Sequence, residues 1–216
     1  MTKKKLPSKD EMAIRSFNMQ DLRAVDDGYY IEGHAAVYDE KTNIGGLFYE
    51  VIERGAFDEC DFDDVLFSVN HDLTKIPLAR SRRNNGNSTM QLKVDNKGLY
   101  IRANLDVENN TEAKNLYSAV KRRDIDGMSF IFYVQEDRWE DLDKDMPTRH
   151  ILKIKKVREV SAVNFPAYSG TDINARDQAV LDNAAKALEN ARSKELDNSK
   201  EQIEIFRLRA QILMKG

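Results

Sequence analysis

The sequence predicts an α+β protein: a strand-rich core with one internal helix, followed by a helical C-terminal arm. Three observations carry this. Short apolar runs, several with period-two alternation, recur between Ser16 and Arg176 and are bounded by turn residues. All four prolines lie at or before Pro166, and the only glycine after Gly170 is Gly216. From Asp177 onward the chain is rich in Ala, Leu, Glu, Lys and Arg, all strong helix formers, with Phe206 as its one aromatic residue. The expected organisation is a basic, disordered tail over 1–15, a core domain over 16–176 and a helical arm over 177–216.

Taken in order, Tyr30 to Tyr38 alternates as a half-buried strand does, and Val65 to Val69 reads as a buried strand. Asn84-Asn85-Gly86 and Asp95-Asn96-Lys97-Gly98 supply turn chemistry on either side of Met90 to Val94, which predicts a hairpin with Leu99 to Leu105. A helix follows, capped by Asn110 or Thr111, with Ala113, Leu116, Tyr117 and Val120 on one face and Lys121-Arg122-Arg123 at its negative end. Three more strands are expected at Met128 to Val134, His150 to Val157 and Glu159 to Phe165, with an acidic loop from Glu136 to Asp145 between the first two. Pro166 ends the last of them because it has no N–H for a ladder. In the arm, Leu181, Ala184, Leu188 and Ala191 form one apolar stripe, and Ile203, Phe206, Ala210 and Leu213 another. The polar stretch Ser193 to Glu201 shifts their phase by one residue, which favours two short helices or a broken coiled coil over a continuous rod.

Composition excludes several classes of function. The 216 residues carry 34 Lys and Arg against 37 Asp and Glu, a net charge of −3, which is not the basic excess of a dedicated nucleic-acid binder. A single cysteine, Cys60, rules out an internal disulfide framework and a multi-cysteine zinc site, and points to a reducing compartment. The lysines at the N-terminus have no apolar stretch behind them, and the longest apolar run, Phe130 to Val134, is far too short to span a bilayer. A soluble intracellular protein is expected. No two histidines lie three or four residues apart and there is no His-Glu-x-x-His run, so neither a metal nor a cofactor is expected. Gly45-Gly46 alone does not make a phosphate loop.

The three histidines can be judged singly. His34 sits inside an alternating strand and reads as a satisfied strand residue, whereas His150 beside Arg149 reads as solvated. His71, in Asn70-His71-Asp72, leaves a buried strand directly, so a rigid element holds it while it can still open to solvent, as a general base requires. Ser129 begins an apolar strand in which Met128, Phe130 and Phe132 share the other face. On spacing alone it is a small residue at a close backbone approach. Glu159, Ser161 and Val163 alternate on one face of the last strand, and Glu159 can orient an imidazole or pair with Arg158.

Five short motifs then occur in order: Gly33-His34-Ala35-Ala36-Val37-Tyr38, Arg54-Gly55-Ala56-Phe57, Asn70-His71-Asp72, Asp126-Gly127-Met128-Ser129-Phe130, and Glu159 through Ala167. In this the chain resembles the tailed-phage prohead (capsid maturation) serine proteases over roughly Ser16 to Arg176. That family is itself distantly similar to herpesvirus assemblin. The resemblance implies a mainly β-barrel, assemblin-like core, with His71 as general base and Ser129 as nucleophile. Glu159 stands where assemblin has its second histidine, and is implied as the residue orienting His71; Asp72 and His34 are the alternatives for that role. The implied function is a serine endopeptidase that processes the major capsid and scaffold proteins, and itself, inside assembling proheads in the host cytoplasm. The implied partners are the major capsid protein and its scaffolding segment, with self-association added and neither membrane nor direct nucleic-acid contact expected. A non-catalytic capsid assembly or scaffolding protein of the same fold is the competing reading.

Overall fold

The computed structural model describes residues 11–18, 21–164 and 175–213. Its elements are β1 (Glu11–Asn18), β2 (Arg23–Val25), β3 (Tyr30–Val37), β4 (Thr42–Ile44), β5 (Phe48–Ile52), β6 (Val65–Val69) and β7 (Ala79–Ser81). They continue with β8 (Met90–Val94), β9 (Gly98–Asn104), α1 (Thr111–Lys121), β10 (Gly127–Glu140), β11 (Thr148–Val163) and α2 (Ala175–Leu213). Residues 11–15, assigned from sequence to a disordered tail, belong to β1. This strand pairs antiparallel with β10, so Ala13 reaches the core.

One sheet runs β1-β10-β11-β5-β4, with β6 also paired to β11 and β7 to β6; the other runs β2-β3-β9-β8. Both contribute to one core, in which Ile31, Leu99 and Ile101 of the second sheet join Phe67, Phe130 and Val160 of the first. The protein is therefore a strand-rich α+β fold, and the barrel expected from sequence is not closed among the described residues. The reason lies in the pairing: β1, β4 and β7 end branches of the first sheet, and β2 and β8 end the second, with no ladder joining them.

β11 is the spine. Its single outer edge takes β5 in parallel along Thr148 to Ile151 and β6 in parallel along Glu159 to Ala162. The sequence reading split it in two because its buried residues Ile151, Ile154, Val157 and Val160 recur every third position. That spacing is foreign to a regular strand, whose period is two. Register shifts against β10 explain it: Leu152, Lys155 and Arg158 are extra residues, each absorbed in a bulge that re-phases the strand and bends it. β10 is also longer than expected, running through Glu136 to Glu140. Basic partners opposite make this possible, since Glu136 pairs with Lys153 and Arg149 lies 2.7 Å from Asp137.

α1 starts where Asn110 accepts from the N–H groups of Glu112 and Ala113, and it buries Ala113, Leu116, Tyr117 and Val120. α2 is one 39-residue helix rather than two. Ser193 to Glu201 holds neither proline nor glycine, so the phase shift changes what the helix covers without breaking its backbone. Ala184 and Leu188 pack with Ile44 and Phe48 beside Trp139, and Arg192 donates to the carbonyls of Leu142 and Lys144. Beyond that point residues 193–209 are exposed, Leu196, Ile203 and Phe206 among them. No helix among the described residues is long and apolar enough to cross a membrane. The expected end of the last strand at Phe165-Pro166 lies outside the described residues.

Candidate active site

Strand register places the site. Ser16, Ser129, Ser161 and Ser68 are cross-strand partners on β1, β10, β11 and β6, forming a row of four serines across the first sheet. Alternation puts them on the face opposite Met128, Phe130, Val160 and Ala162, which enter the core. Glu159 lies two residues before Ser161, on the same face.

His71 reaches this row from above. β6 continues its parallel pairing one step further, as the Asn70 N–H donates to the Ala162 carbonyl at 2.9 Å. The chain then turns through two consecutive left-handed residues, Asn70 at φ +51° and His71 at φ +56°. Such a conformation costs a non-glycine residue on the order of 1 kcal/mol or more, so the surroundings must hold it. The Asn70 side chain does part of this by accepting the Asn164 N–H at 3.0 Å.

The imidazole thus lies between serine and carboxylate. Its Nε2 is 2.5 Å from the Ser129 hydroxyl and its Nδ1 is 2.6 Å from Glu159 Oε2. Glu159 is 1% exposed at its side chain and His71 15%. Ser129 has no exposed surface, and its hydroxyl also lies 2.9 Å from the Arg15 carbonyl of β1. That hydroxyl has one proton and two acceptors within reach, so the Arg15 carbonyl competes with His71 for it. The other Glu159 oxygen, Oε1, accepts from Ser161 at 2.5 Å and also from Ser68.

The three residues nominated from sequence therefore converge. Neither alternative orienting residue does so. Asp72 accepts from the Thr74 hydroxyl at 2.6 Å, and His34 is 2.6 Å from Asp21 and 3.1 Å from Asp95. His34 is thus the satisfied strand residue that the sequence indicated. His150 is not solvated: its side chain is 14% exposed and its Nδ1 lies 2.6 Å from Glu53, because β11 pairs in parallel with β5, which sets His150 opposite Val51 and two residues short of Glu53. Arg158 is exposed at a bulge. Ser68 and Ser161 were given no role from sequence. The available signal was a hydroxyl in each of two otherwise apolar strand segments, Val65 to Val69 and Val160 to Val163.

A hydroxyl, an imidazole and a buried carboxylate in line are the parts a serine hydrolase needs. The chain belongs to the Caudovirus prohead serine protease family, whose match spans residues 18–186 and so reaches into α2. It is accordingly a serine peptidase of bacteriophage capsid maturation. Among solved structures it is similar to the bacteriophage T4 capsid assembly protease, gp21, at 12% identity and a TM-score of 0.42, covering 72% of this chain and 99% of that one. Among curated proteins, no match is found.

Proposed function

We propose that Ser129 is the nucleophile, His71 its general base and Glu159 the carboxylate that orients His71. The enzyme is then an endopeptidase that cuts the scaffolding segment from the major capsid protein, and cuts itself, inside the prohead. The observation that carries this is the hydroxyl–imidazole–carboxylate line, 2.5 and 2.6 Å long, ending on a buried acid. With Glu159 accepting the Nδ1 proton, Nε2 is left as an acceptor for the Ser129 proton. Attack requires that proton to go to His71 rather than to the Arg15 carbonyl. Ser129 Oγ then bonds to the substrate carbonyl carbon while His71 takes the proton. His71 returns it to the leaving amine, and water repeats the sequence to release the acyl group. Because Ser129 is covered in this structure, substrate entry has to displace what lies over it.

The two sheets, with β7 beside β8 and β10 packed on β3, are consistent with a flattened, assemblin-like barrel. The exposed part of α2, residues 193–209, fits a contact with a helical scaffold during packaging. Removing 177–216 would also strip Ala184 and Leu188 from Ile44 and Phe48, so the informative truncation ends at Arg192. It should abolish incorporation into particles and leave core cleavage intact; normal packaging would refute the arm's role. Catalysis is tested by intact-mass spectrometry of the virus's major capsid protein co-expressed with the natural chain or Ser129→Ala. Truncation with the first and full-length protein with the second is expected. Identical truncation in both would remove Ser129 from the mechanism.

A further inference from the structure

We propose that Ser161, supported by Ser68, is a positioning residue that locks the base and its carboxylate into one unit; this rests on the roles given above to Ser129, His71 and Glu159. A serine hydroxyl has one proton to give and lone pairs to receive with. Ser161 uses both. Its Oγ accepts the backbone N–H of His71 at 2.9 Å and donates to Glu159 Oε1 at 2.5 Å. One buried atom therefore touches the backbone of the base and the side chain that orients the base, closing a ring through Glu159 Oε2 and the His71 imidazole. Ser161 has no exposed surface, so water cannot replace either bond.

The backbone contact falls at the strained point. His71 sits at φ +56°, and its N–H is the group that Ser161 holds. Together with the Asn70 bonds to Ala162 and Asn164, three residues of β11 and its exit, Ser161, Ala162 and Asn164, grip the two left-handed residues. Ser68 completes the cradle: it donates to the same Glu159 oxygen and lies 2.7 Å from Ser161 Oγ. Two hydroxyls on one oxygen fix the carboxylate's rotation, so its other oxygen stays aimed at Nδ1. The cross-strand pairing of Ser161 with both Ser68 and Ser129 makes all this a consequence of register.

The test measures the rate at which a fluorophosphonate probe labels Ser129 of the full chain, where the Ser129 oxygen bonds to phosphorus, fluoride leaves and His71 takes the proton. The low-field NMR resonance of the His71 Nδ1 proton is recorded alongside. Ser161→Ala should slow labelling about a hundredfold and Ser68→Ala about tenfold, from the loss of two hydrogen bonds and one around a charged group. The resonance should move or broaden in Ser161→Ala. Ser81→Ala is the control, since Ser81 is also fully buried but lies outside the site with no partner for its hydroxyl among the described residues, and it should label within about twofold of the natural rate. If Ser129→Ala abolishes labelling while Ser161→Ala and Ser68→Ala label at the natural rate with an unmoved resonance, the positioning role is wrong and the triad stands. Labelling that persists in Ser129→Ala overturns both.

Discussion

Glu159→Gln isolates the charge of the proposed orienting residue from its shape. The amide occupies the same volume, its oxygen can still accept the Nδ1 proton, and the Ser161 and Ser68 hydroxyls, which donate to the replaced oxygen, can rotate to accept from the new NH2 group. What is lost is a negative charge 2.6 Å from the imidazole when that ring becomes cationic. Unit charges about 4 Å apart interact by roughly 4 kcal/mol at an effective dielectric of about 20, a fair value for a buried site within reach of solvent. That difference falls on the transition state, where His71 carries the Ser129 proton, and corresponds to about a thousandfold in rate. Fluorophosphonate labelling of Glu159→Gln, checked for unchanged thermal unfolding, should therefore proceed about a thousand times more slowly. A rate within tenfold of the natural protein would show that Glu159 does not stabilise the imidazolium.

Three further outcomes follow from the structure. Burial pushes the Cys60 thiol up to about 12, so the native protein should resist iodoacetamide at pH 8 and react once unfolded; rapid alkylation of folded protein would contradict the packing around it. Burial raises the Asp21 carboxyl, but hydrogen bonds from Lys97 and His34 outweigh it and hold the group below its ordinary value. The stability it contributes is complete above about pH 4 and lost as pH falls through the lowered value, so Asp21→Asn should flatten the acid limb of urea-midpoint curves; parallel curves would refute this. At Gly98, φ +156°, a Cβ would meet the Ala36 carbonyl oxygen at 2.1 Å, a backbone atom that cannot step aside. Gly98→Ala should cost about 3 kcal/mol in denaturant unfolding, and a loss below about 1 kcal/mol would show that the β3–β9 ladder yields.

What could be read from the sequence was whatever obeys a local period. β6 and β8 match the expected runs at both ends, and α1 matches from its Asn110 cap to Lys121, because alternation and capping are encoded within a few residues. β1, β2, β4 and β7 carry little signal of their own and form because partners are present. β11 was misread as two strands, since its bulges depend on β10 and leave only a puzzling threefold spacing. The same division holds at the site. His71, Ser129 and Glu159 stood out as polar residues at rigid, apolar positions, and a resemblance gave them roles. The cradle of Ser68 and Ser161 was not visible, because it arises from pairing β6 in parallel with β11, two segments about 90 residues apart whose register no local pattern states. The Arg15 carbonyl was beyond any reading of side chains.

The bulges of β11 also separate curvature from chemistry. On β10, Ile131 and Phe132 are neighbours, yet their partners Glu159 and Val157 have Arg158 between them. Excising Arg158 would give a regular ladder, with Val157 still in the core and Glu159 still beneath His71. Only the bend would go. Substitution scanning leaves such a residue's backbone in place, so it cannot remove the bend. Single-residue deletions at Leu152, Lys155 and Arg158 would instead straighten the spine one joint at a time, making the angle between the helix-docked end and the catalytic end a quantity that can be dialled while every functional group is kept.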